Sequence, residues 1–326
     1  MGGVLVCGNI VADVLVRPVD RVAWGTSTWV ESIEQHMGGN GANTSYAAAK
    51  LGAPVRLLSA VGLDEFGDQM LARLRSAGVD VGQVSRGEAA TPASVVVVNS
   101  AGDRALLHLV GASAAAFPEP LEFDARLAAG MSAFHLANLF ALPLVRRHAA
   151  ATMRRARAAG LTTSLDTGWD SRGRWLEDLA PCLPYTDLMF VNLDEARELT
   201  GQAEPAAAAA RLRELGAAAV VVKLGARGSV VFTAGGVAAA PAFAVEAVDT
   251  TGAGDCFAGA FLAARHRGLS LEECARIANA AAALAIQKLG ATGGLRSWEE
   301  TVEWAAAHPL ASPPSGGTNT QGGPGI

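Results

Sequence analysis

The fold class is decided by residues 188–223, LMFVNLDEARELTGQAEPAAAAARLRELGAAAVVVK. The run Leu188–Asn192 predicts a buried strand, 194–215 predicts helix in two pieces, and Ala218–Lys223 predicts a second strand. A strand, a helix and a strand in this order form a right-handed crossover unit. We therefore expect the two strands to be parallel members of one sheet.

The same alternation extends towards the N-terminus. Short apolar runs at 133–136 and 162–166 predict strands, and helical patterns near 142–159 and 172–180 follow them. The runs Val4–Val6 and Val55–Val61 add two more strands. The sequence therefore predicts an α/β fold with a central, mostly parallel sheet flanked by helices.

Two segments, about 13–37 and 91–111, break this rhythm. The second contains two strand-like runs around the turn Asn99–Asp103, which carries the residues that tight turns require. Two strand-rich insertions can pair into a separate small sheet. We expect that sheet to form a lid over the carboxyl edge of the parallel strands, where α/β folds bind ligands.

Composition sets the remaining bounds. The chain has 326 residues, 50% of them hydrophobic, which is enough for a full core. Its longest apolar runs are shorter than the roughly 20 residues that a membrane-spanning helix needs. The net charge of −5 argues against a general nucleic-acid partner. Four cysteines without paired spacing, and no basic leader, favour a reduced, cytoplasmic protein.

Domain organisation follows from the same patterns. We expect one domain over 1–308, with the lid inserted from about 13–37 and 91–111. Residues 309–326 are rich in Gly, Pro, Ser and Thr and are predicted to be a disordered tail.

The stretch DTTGAGDCFAGAF, Asp249–Phe261, follows a strand and opens a helix of small residues. Gly252, Ala253 and Gly254 let the backbone approach a ligand, and their N–H groups lie at the positive end of that helix. Such a turn is suited to hold phosphate. Asp255 in the same turn would repel a phosphate, but it can take a proton from an attacking hydroxyl. The alternative is a glycine-rich helix cap with a structural aspartate.

A second glycine-rich turn, GGNGAN at 38–43, opens the helix 44–51. Neither turn is a P-loop, because no Gly-x-x-x-x-Gly-Lys-Ser/Thr occurs in the chain. The early Gly8 does not complete a dinucleotide-binding fingerprint either.

Taken together, the two turns resemble the two signatures of the ribokinase-like (PfkB) carbohydrate kinase family. Residues 249–262 resemble its C-terminal signature and 38–62 its N-terminal signature, in the right order and about 200 residues apart. The resemblance extends over roughly 3–308. It implies the ribokinase-like three-layer fold with a β-sheet lid, ATP and Mg²⁺ as cofactors, and phosphorylation of a primary hydroxyl on a small sugar-like substrate.

The resemblance also implies site residues. Asp255 matches the catalytic base, with Gly252–Gly254 as the anion hole. Asp13 matches the residue that binds sugar hydroxyls, and a carboxylate can accept two such hydrogen bonds at once. The substrate-side loop corresponds to Gly38, Gly39, Asn40 and Asn43, with Asn40 in place of the lysine that ribokinases often carry.

Two metal sites are implied in the same way. Asn192 and Glu195 match an Asn-x-x-Glu element that is associated with Mg²⁺ and phosphate, and they can act through water. The same spacing also forms a helix cap. The backbone carbonyls of Asp249 and Thr251 lie in the loop that holds K⁺ in many family members.

The nucleotide side is implied by three segments. Lys223, Gly225 and Gly228 match a segment that approaches the nucleotide, although Lys223 could equally be a stem packed at a strand end. Asn279 matches a position near the adenine, with a hydrogen bond between helices as the alternative.

Departures from the family leave the substrate open. Asn138 follows the strand 133–136 where an acidic substrate ligand is expected, and Asp170 ends DTGWD in place of an Asp-x-Asn-x-Arg element. Arg104 and His108 on the lid could face substrate or solvent. A nucleoside kinase, with Trp24, Trp29 and Phe140 around the base, and a non-catalytic homologue are the alternatives. Dimerisation through the lid is expected, since an exposed small sheet has apolar faces and free edges.

Overall fold

The computed structural model describes residues 2–311, and the strands of this part of the chain form two sheets. Those strands are β1 (Gly3–Cys7), β2 (Val11–Arg17), β3 (Ser32–Gly38), β4 (Val55–Gly62), β5 (Val79–Gly87), β6 (Ala93–Val98), β7 (Arg104–Leu109), β8 (Met131–Ala137), β9 (Thr162–Asp166), β10 (Leu188–Asn192), β11 (Ala219–Lys223), β12 (Ser229–Thr233) and β13 (Gly236–Ala240).

The helices fill most of the segments between the strands. They are α1 (Asn40–Lys50), α2 (Glu65–Ser76), α3 (Val145–Ala158), α4 (Leu176–Leu179), α5 (Leu193–Thr200), α6 (Pro205–Glu214), α7 (Ala253–His266), α8 (Leu271–Ala285) and α9 (Trp298–Ala307). None of the helices in residues 2–311 is both long enough and apolar enough to cross a membrane.

The large sheet has nine strands in the order β13-β12-β11-β10-β9-β8-β1-β4-β5. The strands from β11 to β5 are parallel to one another, and β12 and β13 add an antiparallel hairpin at one edge. The predicted α/β fold with a mostly parallel sheet is confirmed.

Alternation along the buried strands creates three layers. In β1, Val4 and Val6 pack into the core formed with α1, α2, α7 and α8, whereas Leu5 and Cys7 pack into the core formed with α3, α5 and α6. A strand buried on both faces is mostly apolar, because successive side chains point to opposite faces and each face packs against a core. This explains why these strands have runs of Val, Leu and Ala in the sequence.

The lid is a four-stranded sheet in the order β3-β2-β6-β7, built from the two insertions that the sequence predicted. Its inner face carries a row of facing residues, in which Asp13 lies opposite His36 on one side and Ser94 on the other. The next residue along this row is His108 on β7.

Three details differ from the sequence-based expectations, and the first two concern a strand and a helix of the large sheet layer. Strand β5 was not predicted, because its sequence VDVGQVSRG is polar enough for an edge strand. The helix expected over 172–180 is only the single turn α4, followed by a 3₁₀ segment with Pro184 inside it.

The third detail concerns the disordered tail that was expected over 309–326. Its expected start at residue 309 is too early, because the next two residues pair with the main chain. Leu310 forms a bridge with Phe243, and the Ala311 N–H donates to the Ala242 carbonyl over 2.8 Å. Composition does not reveal such pairing, because it uses only main-chain groups. The rest of the expected tail, 312–326, lies outside the described residues.

Candidate active site

Polar residues follow the adjacent parallel strands at one edge of the large sheet. Lys223 and Asn192 end β11 and β10, Asp166 ends β9, and Asn138 follows β8. In the sheet register Asn192 is the partner of Lys223, and Ala137 is the partner of Asp166. The carboxyl ends of parallel strands share one edge, so these side chains line one crevice.

The helices α1 and α7 both begin beside this edge, and glycines allow them to approach closely. A Cβ added to Gly259 of α7 would lie 2.5 Å from the carbonyl oxygen of Thr44 in α1. A Cβ added to Gly41 would lie 2.5 Å from the backbone of Gly8 at the end of β1. Only glycine fits at such contacts. The two predicted glycine-rich turns therefore meet in space.

Asp255, in the first turn of α7, is 9% exposed and receives hydrogen bonds on both carboxylate oxygens. Asn40 Nδ2 donates to Oδ1 over 2.8 Å, and Asn43 Nδ2 donates to Oδ2 over 2.9 Å. Burial raises the pKa of Asp255, the two amides lower it, Asp166 raises it and Lys223 lowers it. A carboxylate with a raised pKa is a stronger proton acceptor than an exposed one.

The turn that precedes Asp255 has the geometry of a helix start. Gly252 has φ of +71° and is the residue before the first turn of α7, and no side chain of residues 2–311 caps that turn. A Cβ added to Gly254 would lie 3.2 Å from Lys223 Nζ. The Ala253 N–H donates to the Thr250 carbonyl over 3.3 Å, but the lysine ammonium lies beside the N-terminus of α7, and the ammonium and the helix end both attract anions.

Lys223 is the centre of a buried cluster of charges. Its Nζ donates to Asp166 Oδ2 over 2.7 Å, and its side chain is only 13% exposed. Asp166, Glu195 and Asp255 all raise the pKa of Lys223, so one cation faces three carboxylates. Burial raises the pKa of Glu195 to about 7, although Lys223 lowers it.

This excess of buried carboxylates fits a divalent cation. Residues 2–311 contain no group of three or more His, Cys, Asp or Glu side chains arranged to hold a metal ion by themselves. Mg²⁺ commonly keeps several waters and takes few direct protein ligands, so Glu195 and Asp166 fit a Mg²⁺ held through water and nucleotide phosphates.

Asn192 and Glu195 also form the helix cap that the spacing predicted. The Glu195 N–H donates to Asn192 Oδ1, and the Asn192 N–H donates to Glu195 Oε2, each over 2.8 Å. This capping box fixes Glu195 at the strand end, and the Thr167 hydroxyl donates to the same Oε2 over 3.3 Å.

Two of the predicted nucleotide residues converge on the segment after β13. Asn279 Nδ2 donates to the carbonyls of Ala240 and Pro241, at 2.8 and 3.1 Å. Gly228, at φ +89°, packs so closely on this segment that an added Cβ would lie 2.6 Å from the Ala242 nitrogen. Asn279 therefore bonds to a loop rather than to another helix. Gly225 has open space around it.

The lid brings Asp13 over the first glycine of the N-terminal turn. A Cβ added to Gly38 would collide with the Asp13 carboxylate, so a larger residue there would displace the Asp13 side chain. Burial raises the pKa of Asp13 to about 6, with Ser94 and His36 lowering it and Asp249 raising it. Gly39, at φ +89°, turns the chain into α1 beside Asn9, whose Oδ1 accepts from the Asn40 N–H over 2.9 Å.

Arg104 of the lid reaches the loop before Gly252. Its Nη1 donates to Thr251 Oγ1 over 2.7 Å, and its Nη2 lies 3.0 Å from Asp249 Oδ1. The Asp249 carboxylate also accepts from the N–H groups of Thr251 and Gly290, each over 3.0 Å. His108 instead bonds to Ser94 within the lid, at 3.1 Å.

Sequence reasoning gave no site role to Asn9, Asn138 or Asp166. Asn138 Nδ2 donates to Asn40 Oδ1 over 2.8 Å, which links the end of β8 to the start of α1. One signal could have found two of these residues, namely a polar side chain directly after a parallel strand.

Asp170 is structural, since both its oxygens bind Arg146.

Comparisons with known proteins agree with this geometry. The family model "pfkB family carbohydrate kinase" matches residues 1–298. A 2-dehydro-3-deoxygluconokinase of Thermoproteus tenax is 30% identical over 295 residues, 87% of this chain and 90% of the relative. An ATP-dependent ribose-1-phosphate kinase of Halopiger xanaduensis is 34% identical over 300 residues, 88% of this chain and 93% of the relative.

Solved structures show the same fold. Arabidopsis thaliana ribokinase complexed with ribose and ATP superposes with a TM-score of 0.84 and 28% identity, covering 93% of this chain and 98% of the other. A putative ribokinase II of E. coli in complex with ATP and Mg²⁺ has a TM-score of 0.80 and 26% identity, covering 94% of this chain and 100% of the other. The family match, the two-sheet fold and the meeting of both glycine-rich turns lead to one conclusion: this chain belongs to the pfkB family of carbohydrate kinases.

Proposed function

We propose that this carbohydrate kinase transfers the γ-phosphoryl group of ATP to a primary hydroxyl of a small sugar or sugar-like substrate, with Asp255 as the general base. The observation that carries the proposal is the position of Asp255. It is buried at the start of α7, and the amides of the other glycine-rich turn hold both of its oxygens.

The residues around Asp255 suit the chemistry of phosphoryl transfer. Asp255 accepts the hydroxyl proton while the substrate oxygen bonds to the γ-phosphorus, and the bond from that phosphorus to the bridging oxygen breaks to release ADP. The N–H groups of Gly252, Ala253 and Gly254 would stabilise negative charge on the transferred group, and Lys223 beside Gly254 would add to this effect.

The substrate side is supported by an unused hydrogen-bond acceptor. Asn43 Oδ1 is buried and has no partner among the described residues, so it is available to a substrate hydroxyl. Asp13 supplies two further acceptor oxygens from the lid. Gly38 and Gly39 have no side chains, so the substrate can approach their backbone closely. Asn40, which donates to Asp255, lines the same substrate space.

The nucleotide would lie along the edge that runs from Asn192 to Lys223 and then to Gly225, Gly228 and Asn279. The carbonyls of 240–242 and the N–H of Ala242, next to Gly228 and Asn279, would offer the adenine hydrogen-bonding groups of the backbone. The ATP complexes among the structural neighbours support ATP as the phosphoryl donor.

Mg²⁺ would be held by Glu195 through water and by the nucleotide phosphates, where it would neutralise phosphate charge. Glu195 is fixed for this task by its capping box with Asn192. A K⁺ ion would bind the carbonyls of Asp249 and Thr251, and comparing activity in K⁺ with activity in Li⁺ tests that site. Equal rates in the two salts would remove K⁺ from the proposal.

A nucleoside acceptor is disfavoured by the positions of the tryptophans. Trp24 and Trp29 are 98% and 92% exposed, so they do not form a slot for a base. Phe140 packs edge-to-face against Trp175 instead.

The lid is proposed to pair with the lid of a second copy. Its outer face places Val14, Val95 and Leu107 side by side, with Leu107 69% exposed. Leu107→Glu is expected to convert a dimer into a monomer in light scattering. A wild type that is monomeric at high concentration would refute the pairing.

The experiment that tests the function is ADP production with Mg-ATP against pentoses, hexoses, sugar acids and nucleosides. We expect a sugar or sugar acid to stimulate ADP release, Asp255→Asn to abolish it, and Glu299→Gln, an exposed carboxyl on α9, to leave it unchanged. Bound ATP without ADP release on any substrate would favour the non-catalytic homologue instead.

A further inference from the structure

We propose that Asn138 is a positioning residue, whose amide sets the direction in which Asn40 presents its side chain to Asp255. The inference rests on the proposed function, in which Asp255 is the general base. Asn138 lies immediately after β8, and its side chain is the link between that strand and the N-terminal glycine-rich turn.

The direction of each hydrogen bond follows from one backbone group. A main-chain N–H can only donate, so the Phe140 N–H, 3.0 Å from Asn138 Oδ1, fixes which end of the amide is the oxygen. Nδ2 of Asn138 must then donate to Asn40 Oδ1, over 2.8 Å. Asn40 is left with its Nδ2 towards Asp255, to which it donates.

The backbone around Asn138 is shaped to hold this amide. Asn138 has φ of +69°, in the left-handed region that residues other than glycine seldom occupy. Gly168, in the loop after β9, also has a positive φ, and a Cβ there would collide with the Asn138 amide. Unfavourable backbone geometry of this kind is concentrated at functional sites.

As a consequence, the Asp255 carboxylate is held in one orientation, with one hydrogen-bond donor on each oxygen. Donors stabilise the ionised form of Asp255, as does Lys223, whereas burial and the charge of Asp166 oppose it. Each carboxylate oxygen keeps a further lone pair for the substrate hydroxyl. Without Asn138, Asn40 is free to rotate, and Asp255 loses both an orienting contact and a stabilising donor.

Two substitutions separate this role from a structural one. In Asn138→Asp, the oxygen that faces Asn40 can only accept, so Asn40 must turn its Nδ2 towards residue 138 and its Oδ1 towards Asp255. The Asn40 Oδ1 and a carboxylate oxygen of Asp255 would then face each other without a hydrogen bond between them. Asn138→Gly keeps the left-handed φ without strain and removes the amide. Asn99→Asp is the matched control, because the Asn99 amide donates to Asp103 in an exposed lid turn.

The first measurement needs no substrate. The Asp255 carboxyl carbon is titrated by ¹³C NMR, with its signal assigned from Asp255→Asn. We expect the pKa of Asp255 to rise in Asn138→Asp, to rise less in Asn138→Gly, and to stay at the wild-type value in Asn99→Asp. Thermal unfolding in the same buffers shows whether each variant is folded.

The second measurement is kinetic. We expect kcat/KM for the acceptor to fall about a hundredfold in Asn138→Asp at neutral pH, because the base is displaced. The acid limb of the pH profile should move to higher pH, with KM for ATP unchanged. An Asp255 titration identical to the wild type in Asn138→Gly overturns the inference, even if stability falls, because in Asn138→Asp the added charge alone raises the pKa of Asp255. A wild type that phosphorylates no acceptor refutes the proposed function, while the titration still decides the role of Asn138.

Discussion

Arg104 of the lid and Asp249 of the main domain form an ion pair, with 3.0 Å between Nη2 and Oδ1. The same guanidinium donates to the Thr251 hydroxyl, one residue before Gly252. A single side chain therefore connects the lid sheet to the loop that leads into the proposed anion hole.

Arg104→Ala is expected to loosen this connection without unfolding the protein. The exposed guanidinium contributes about 1 kcal/mol or less, and the buried Asp249 carboxylate keeps its two backbone N–H donors, so stability should change little. KM for the acceptor should rise several-fold, and ATP hydrolysis without acceptor should increase relative to transfer, because an open lid admits water. Arg17→Ala is the control, since within residues 2–311 the Arg17 guanidinium makes its hydrogen bond and ion pair to Ser32 and Glu34 of the lid and none to the loop around Asp249. Equal effects of the two variants would contradict the prediction.

The two glycines of the anion-hole turn should respond differently to a methyl group. Gly252→Ala places a Cβ at φ +71° and against Ala291, so we expect a loss of at least about 1 to 2 kcal/mol of stability. Gly254→Ala puts a methyl beside Lys223 Nζ in a helical turn, where alanine is favoured. Its stability should be kept while kcat falls about a hundredfold. Thermal unfolding and steady-state kinetics on both variants check this contrast, and an active Gly254→Ala would refute the anion hole.

We expect Asp13→Asn to increase the stability of the folded protein above pH 6 and to weaken substrate binding. Burial raises the pKa of Asp13 to about 6, so above that pH the folded state holds a carboxylate in an unfavourable environment. The variant should be more stable at pH 8 by about 3 kcal/mol, and urea unfolding at a series of pH values measures the difference. The gain should disappear as the pH falls through 6 to below about 4, where Asp13 is protonated in both the folded and the unfolded state.

Binding should change in the opposite direction in the same variant. KM for the acceptor should rise about tenfold to a hundredfold in Asp13→Asn, because a charged acceptor is lost. A stability difference that does not depend on pH would show that burial of the Asp13 charge is not its cause.

Lys223→Met should be one of the most destabilising single changes at this edge. It leaves Asp166 and Glu195 buried without their cation, which costs about 3 to 5 kcal/mol for a broken buried pair. Adding Asp166→Asn should restore part of the loss, because the second change removes an unpaired charge. Urea unfolding of the two single variants and the double variant measures the coupling, and additive effects would show that the ion pair is not coupled.

The fold could be predicted because most central strands are buried on both faces and therefore appear as short, mainly apolar runs, although β9 (TTSLD) also buries Thr and Ser side chains. A site role could be predicted where a residue acts within its own turn, as is proposed for Asp255 and Gly252. Asn138 and Asp166 were not assigned, because their partners Asn40 and Lys223 come from other strand ends or helices. Those partners become neighbours only through the strand order, and no local pattern encodes that order.

The lid shows the same limit. The turn Asn99–Asp103 predicted a hairpin, but it did not show that Arg104 would cross to Asp249 while His108 stays within the lid. Arg104 and His108 lie on the same face of β7, because they are separated by an even number of residues along the strand. Their different roles depend on how the lid is tilted over the main domain, which is a property of the whole assembly of strands.

The hydrogen bond between Asn40 and Asp255 joins residues 215 positions apart. During synthesis, a chain that has not yet released α7 from the ribosome holds the amides of α1 but lacks the carboxylate that they orient. The part of the proposed nucleotide edge from Asn192 to Lys223 emerges earlier than the proposed base. A growing chain can therefore complete the large sheet and this part of the edge before it holds Asp255, and we expect activity to begin only when the last three helices, α7 to α9, have docked.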